Sequence, residues 1–396
     1  MEVRFSERAG LFQASAIRNK LFDNPDIITF AAGKPEASLF PLGGIDKALS
    51  EVVGSEGRSA LQYGPSEGLA ELRELIAKQR MSACGVETSA DNIALTSGSQ
   101  EAIELSGRIF VDEGSYIACE NPSYTGAFGA LAPYAPRYVP IPMDEDGMLM
   151  DELEKALASN PGIRMIYTIP DFQNPTGVSM SVERRRTLAE LAAKYRVPVI
   201  EDCPYGDLIF EGERRPAVKS FDKDGWVVML GSFSKTLCPG LRLGWICASD
   251  AILEKYVLAK QGMNLQCGTL DMCLAQKYLS MNSLEEHIEA LRNMYRERRD
   301  LMLECVKKYF PASVRCTHPH GGFFVWMELD PALDTGALLL KAAAEYKVAY
   351  IPGRSFFPNE GSNSFIRLSY SCVDLAAIEE GMKRLGTFIT EEYKKL

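Results

Sequence analysis

Met165-Ile166-Tyr167-Thr168-Ile169 and Val197-Pro198-Val199-Ile200 are two short apolar runs, rich in β-branched residues. Between them Leu188, Leu191, Ala192 and Tyr195 fall at i, i+3, i+4 and i+7. That spacing predicts a helix over 182–196 between strands over 165–169 and 197–200. The same alternation continues outward on both sides. Apolar runs over 92–96, 116–119 and 227–230 read as further strands, and 100–111 reads as a helix. Strands alternating with helices predict an α/β domain whose sheet is mostly parallel and flanked by helices. Ligands of such sheets gather beyond the carboxyl ends of the strands.

Further along, 283–309 reads as one long helix. Its dense charges, Arg292, Arg296, Arg298, Arg299 and Asp300, predict a solvated face. It leads into a smaller α/β domain with strands over 322–328, 348–351 and 364–369. The first forty residues hold a helical start and a strand over 27–31, which pack with the small domain or across a subunit interface. The expected division is 1–45 for the N-terminal segment, 46–285 for the large domain and 286–396 for the small one. The 396 residues, 46% of them hydrophobic and 24% charged, supply a sizeable core. A net charge of −10 argues against nucleic acid or an anionic membrane as partner. No apolar run approaches a membrane span, and the N-terminus lacks the apolar core of a signal peptide. Ten scattered cysteines without a Cys-x-x-Cys pair read as small buried hydrophobes in a reducing cytoplasm. His318-Pro319-His320 reads as a loop and not a metal pair, because no further ligand stands at a familiar spacing.

Polar clusters follow the strand ends. Lys235 closes Gly231-Ser232-Phe233-Ser234-Lys235, with Arg242 seven residues on. Its amine can form a Schiff base with a carbonyl, and Ser232, Ser234 and Arg242 can hold a phosphate. Pyridoxal 5′-phosphate is a cofactor that needs both, although a solvated lysine in a turn has the same local sequence. Ser99 and Gln100 open the helix after 92–96, as a phosphate cup or as a simple N-cap. Tyr124, after Asn121-Pro122-Ser123, can stack on a flat ring or merely pack in a turn. Asn174, in Asn174-Pro175-Thr176-Gly177, can donate to a phenolate oxygen or sit in a plain loop. Asp202 ends the strand over 197–200, where a carboxylate is costly unless paired. A protonated pyridine nitrogen would pair it, a surface position would solvate it, and Tyr205 could meet the ring's phenolate.

Taken in order, these motifs resemble the fold-type I pyridoxal-phosphate enzymes of the aspartate aminotransferase superfamily, over nearly the whole chain. The resemblance rests on Tyr63 with Gly68 and Leu72-Arg73, Ser97-Gly98-Ser99-Gln100, Asn121-Pro122-Ser123-Tyr124, Asn174-Pro175-Thr176-Gly177, Asp202 with Tyr205, Ser232-Phe233-Ser234-Lys235 with Arg242, and Arg367. Phe30-Ala31-Ala32-Gly33-Lys34-Pro35 and Gly321-Gly322-Phe323-Phe324-Val325-Trp326-Met327 are similar to the 2-aminoadipate, kynurenine and aromatic aminotransferase group. The resemblance implies that Lys235 carries the cofactor and shuttles a proton, that Asp202 pairs with the pyridine nitrogen, and that Asn174 and Tyr205 meet the phenolic oxygen. Tyr124 would stack, and Ser99, Gln100, Ser232, Ser234 and Arg242 would hold the phosphate. Tyr63 would reach the phosphate of the neighbouring subunit, which implies a homodimer with shared sites. Arg367 would clamp the substrate α-carboxylate, assisted by Gly33 and Asn174, and Arg18 would lie near the substrate side chain.

The expected function is amino-group exchange between an amino acid and a 2-oxo acid. One pair would be glutamate and 2-oxoglutarate, and the other an aromatic, 2-aminoadipate or aliphatic amino acid with its oxo acid. Two alternatives stand beside it: β-elimination of a C–S bond on the same scaffold, and a cofactor-binding sensor domain of a transcription regulator. The second is disfavoured because only about thirty residues precede the strand over 27–31, too few for a DNA-binding module.

Overall fold

The computed structural model describes residues 3–12 and 20–396. Its main feature is an eight-stranded sheet. Its strands run, in spatial order, Ile93–Thr96, Gly244–Cys247, Val227–Ser232, Val199–Asp202, Ile163–Thr168, Tyr116–Asn121, Arg137–Asp144 and Gly147–Met148. The five from Val227–Ser232 to Arg137–Asp144 are parallel. Gly244–Cys247 is antiparallel to both of its neighbours, so Ile93–Thr96 points the same way as the parallel set. All six residues of Val227–Ser232 and all four of Val199–Asp202 are buried. The apolar runs over 227–230 and 197–200 suit strands covered by helices on both faces, and Glu201 and Asp202 are buried carboxylates at the end of the second. Thr96, Asn121, Thr168, Asp202 and Ser232 therefore end at one edge of the sheet, where the polar clusters begin.

The second sheet has four antiparallel strands in the order Arg315–Cys316, Phe324–Glu328, Phe365–Ser369 and Ile351–Pro352. Beside it, Ile28–Thr29 pairs in parallel with Val348–Ala349. Phe30 donates to Ala349 O at 2.8 Å, and Ser369 donates to Phe30 O at 2.8 Å. Residues 28–30 of the N-terminal segment thus pair beside the small sheet. The predicted strand over 348–351 is two short strands broken at Tyr350.

The predicted strands and the helices over 100–111, 182–196 and 283–309 are present with boundaries displaced by a few residues, while the expected N-terminal helical start falls partly on 13–19, outside the described residues. Three strands of the large sheet had no counterpart in the sequence reading. Arg137–Asp144 carries Pro140 and Pro142, which sequence rules assign to edges and turns. Gly147–Met148 and Gly244–Cys247 are too short to show a period.

The long helix is Leu284–Tyr309, with Ser283 Oγ accepting from Glu286 N at 3.2 Å as its cap. Its solvated face holds Asn293, Glu297 and Asp300, but Arg298 and Arg299 are buried, contrary to expectation. Arg298 donates to Ser371 O at 2.6 Å and to Glu36 Oε2 at 2.8 Å. Arg299 donates to Pro319 O at 2.5 Å and to the Glu211 carboxylate. Both spend their charge on loops of the tertiary structure, which helix periodicity cannot reveal. All ten cysteines are free. No helix among the described residues is long and apolar enough to cross a membrane.

Candidate active site

A cavity of about 160 Å³ lies beyond the strand ends. Ser99, Gln100, Tyr124, Asn174, Asp202, Tyr205, Ser232, Ser234, Lys235 and Arg242 all line it. These are ten residues that sequence singled out separately, drawn from five strand–loop units. Their convergence follows from the common direction of the strands.

Asp202 is 2% exposed. Its Oδ2 accepts from the Tyr167 hydroxyl at 2.9 Å, while its Oδ1 has no hydrogen-bond partner. Burial pushes its pKa up to about 6, against the pull of the Tyr167 bond, of the nearby Ser99 hydroxyl and of Lys235. Ser99 Oγ is also buried, near Asp202 but without hydrogen-bond geometry to it or to any other group. A buried carboxylate with a free oxygen has an unmet need for a proton or a cation. Lys235 Nζ donates to Gly33 O at 3.0 Å and lies 5.8 Å from the centre of the Phe323 ring. Burial lowers its pKa to about 8; Asp202 opposes this, while Arg367 and Arg242 reinforce it.

Around this pair the cavity is polar at one end and aromatic at the other. Arg242 has a positive φ of 49° and donates to Ser97 O at 2.7 Å. It lies so close to Gly98 that a Cβ there would meet Arg242 Nη2 at 3.0 Å. Gly98 itself has φ +97°, so glycine serves both the turn and the approach. The helix Ser99–Phe110 then aims its first amides at the same space. Gln100 donates to Gly126 O at 2.7 Å, which ties this helix to the first turn of the helix Thr125–Leu131 that follows Tyr124. At the other end the Tyr205 ring packs edge-on against Phe323 and Phe324, at 5.5 and 5.9 Å between centres.

Arg367 is fully buried at the side of the cavity. It donates to Asn174 Oδ1 at 2.9 Å and to Ala31 O at 2.6 Å, and its Nε is unpartnered. The guanidinium lies 4.3 Å from the Phe324 ring centre and 5.0 Å from that of Phe356. Burial lowers its pKa to about 10, which leaves it charged. Gly33 packs under Phe324, where a Cβ would come within 2.7 Å of the ring.

Tyr63 does not join this cavity. It is 79% exposed on its own chain. Arg18 lies outside the described residues. Sequence reasoning also missed two supports. Tyr167 is a lone hydroxyl-bearing aromatic inside an apolar strand, and that was its only signal. Glu120 and Gln173 form a buried pair behind the site. Glu120 accepts from Thr168 Oγ1 at 2.5 Å, from Ile169 N at 3.2 Å and from Gln173 Nε2 at 3.0 Å. Burial raises the Glu120 pKa to about 7 despite these donors. Nothing local in the sequence distinguishes Glu120 from a surface acid.

Residues 25–385 match the family model described as aminotransferase class I and II. The chain is 40% identical to an aromatic-amino-acid aminotransferase of Thermococcus litoralis, across its full length and 96% of that protein. Among solved structures it is similar to the kynurenine aminotransferase of Pyrococcus horikoshii in complex with PMP, at 38% identity and a TM-score of 0.94. That match covers 98% of this chain and 97% of the other. It is also similar to LysN, the α-aminoadipate aminotransferase of Thermus thermophilus, complexed with N-(5′-phosphopyridoxyl)-L-leucine. There the identity is 37% and the TM-score 0.91, with 99% and 98% of the two chains covered.

Proposed function

Since the chain belongs to the class I and II aminotransferases and exchanges amino groups with pyridoxal phosphate as cofactor, we propose that the cavity holds that cofactor with Lys235 as its proton carrier. One observation carries this reading. The unpartnered Asp202 Oδ1, the unpartnered Ser99 Oγ and the depressed Lys235 amine line one cavity. When bound, the cofactor supplies an aldehyde to take the amino group and a ring that draws electrons from the substrate Cα.

The residues then divide the work. The amides opening Ser99–Phe110, with Ser99, Gln100, Ser232, Ser234 and Arg242, hold the phosphate by charge-assisted donors. Asp202 keeps a proton on the ring nitrogen, Asn174 and Tyr205 meet the phenolic oxygen, and Tyr124 stacks on the ring. Arg367, anchored through Asn174 and Ala31 O, presents its guanidinium to the substrate carboxylate in the forked geometry that lysine cannot offer. The Gly33 backbone and the Asn174 amide assist in holding that carboxylate. Lys235 takes a proton at Cα and returns it at the cofactor carbon, and a pKa near 8 suits both directions near neutral pH.

The substrates are an amino acid and a 2-oxo acid. Glutamate with 2-oxoglutarate forms one pair, and an aromatic, 2-aminoadipate or aliphatic amino acid with its oxo acid forms the other, as the named relatives suggest. Arg18 is assigned to the substrate side chain. A homodimer with Tyr63 reaching the partner's phosphate site, a cytoplasmic location, and large and small domains at 46–285 and 286–396 complete the reading. A panel of amino donors with 2-oxoglutarate tests it. Glutamate should form with an aromatic donor, 2-aminoadipate or leucine, and Arg18→Ala should weaken 2-aminoadipate more than phenylalanine. No glutamate from any donor, or pyruvate and a thiol from cystathionine in its place, would refute it.

A further inference from the structure

His318 and His320 are two of only three histidines in the chain. Sequence offers them no third ligand, but the fold brings one from 107 residues away. His318 Nε2 stands 3.4 Å from Glu211 Oε1, and His320 Nε2 stands 3.8 Å from Glu211 Oε2. The three ligand atoms all lie within 4.8 Å of one another. In a tetrahedral zinc site with bonds near 2.0–2.2 Å, ligand atoms stand about 3.4 Å apart. Each imidazole already stands near that distance from one Glu211 oxygen, His318 from Oε1 and His320 from Oε2, and side-chain rotation from within 4.8 Å would bring one oxygen and both nitrogens onto a single ion.

The frame behind these heads is fixed. Phe210 N and Glu211 N both donate to His320 O, at 2.7 and 3.1 Å, and Ile209 bridges to Gly321. The buried Arg299 holds Pro319 O and the Glu211 carboxylate together, and Arg296 Nε donates to Phe210 O at 3.2 Å. Arg299 and His318 share Oε1, which leaves Oε2 facing His320 alone. A ligating carboxylate steadied by a second donor is a common outer arrangement of metal sites.

We propose that Glu211, His318 and His320 form an exchangeable divalent-metal site that takes Zn²⁺, with the fourth position open to water. Two imidazoles and one carboxylate suit zinc better than the oxygen-seeking Mg²⁺ or Ca²⁺. The metal would join the segment that follows Asp202 to the segment entering the small sheet. The latter carries Phe323 and Phe324 onto Tyr205. Its work is to clamp that joint, and none of its ligands lines the cavity.

Equilibrium dialysis of the cofactor-loaded enzyme, free of any affinity tag, against micromolar ZnCl₂ tests this, with zinc counted by atomic absorption. Wild type should bind about one more zinc per protomer than the His318→Ala/His320→Ala double variant. Zinc should raise the melting temperature of wild type alone, and both proteins should transfer amino groups equally in zinc-free buffer. Equal zinc uptake by the two proteins, or an equal melting rise, would overturn the site, as would no uptake by wild type.

Discussion

Asp202 ends its strand with one oxygen bonded to Tyr167 and the other facing the cavity without a partner. The cofactor-free protein bears the cost of that arrangement. A carboxyl pKa moved from 3.8 to about 6 corresponds to roughly 3 kcal/mol lost when the group ionises. The sign follows from proton binding: the folded state holds its proton longer than the unfolded state, so the penalty grows from about pH 4 to about pH 6 and persists above. Asp202→Asn should therefore melt higher than wild type without cofactor at pH 8, with the gap closing as pH falls toward 4. Turnover should drop by at least about a hundredfold, the scale of removing one preorganised charge. Thermal melts and steady-state rates check both halves. Lys235 yields a second prediction. Without cofactor, its rate of condensation with an aldehyde should climb up to about pH 8 and then level, because its neutral form dominates above that pKa. A climb continuing past pH 10 would place Lys235 in open solvent. Asp202 and Lys235 were legible because each follows a buried apolar run. Tyr167, Glu120 and the inward Arg298 and Arg299 were not, since their partners lie on other elements.

At the scale of elements, the loops after Tyr116–Asn121 and Ile163–Thr168 carry Tyr124 and Asn174, and one amide joins them. Gln173 Nε2 donates to Pro122 O at 2.9 Å and to Glu120, while its Oε1 accepts from Thr176 N and Thr176 Oγ1 at 3.0 and 2.7 Å. Gln173→Ala removes all four bonds and strips a buried carboxylate of one donor. It should cost about 2–3 kcal/mol of stability. It should also lower kcat/KM about tenfold through misplacement of Asn174 and Tyr124. Denaturant melts and initial rates measure these, and wild-type values in both would show that the loops stand without Gln173. The central strands were readable because parallel strands covered on both faces open with apolar, β-branched runs, their polar residues falling mostly at the carboxyl ends. Arg137–Asp144 and Gly244–Cys247 were hidden because prolines, glycine and short length carry no period, and only pairing in the sheet makes them strands.

At the scale of the whole molecule, ten of the proposed site residues line one cavity, Arg367 and Gly33 adjoin it through Asn174 and Lys235, and Tyr63 is left on the surface. Leu42, Val53, Leu61 and Tyr63 are at least 60% exposed on the same N-terminal stretch, an apolar surface that fits a subunit interface. If Tyr63 serves the partner's site, its loss can be complemented. Tyr63→Ala should retain cofactor poorly. Random pairing with Lys235→Ala subunits should restore about a quarter of wild-type sites at limiting cofactor, because each mixed dimer holds one intact site. No gain over the unmixed variants would confine each site to a single chain. The two-sheet architecture was visible in the sequence, whereas the seating of residues 28–30 beside the small sheet needed the pairing of Ile28–Thr29 with Val348–Ala349. Lys235 carries the proposed chemistry, and Lys235→Ala removes it at a single residue. Loaded with pyridoxal phosphate, the variant should lose the visible absorption of the lysine-bound cofactor and nearly all amino-group exchange with 2-oxoglutarate. An unchanged band together with full turnover would contradict it.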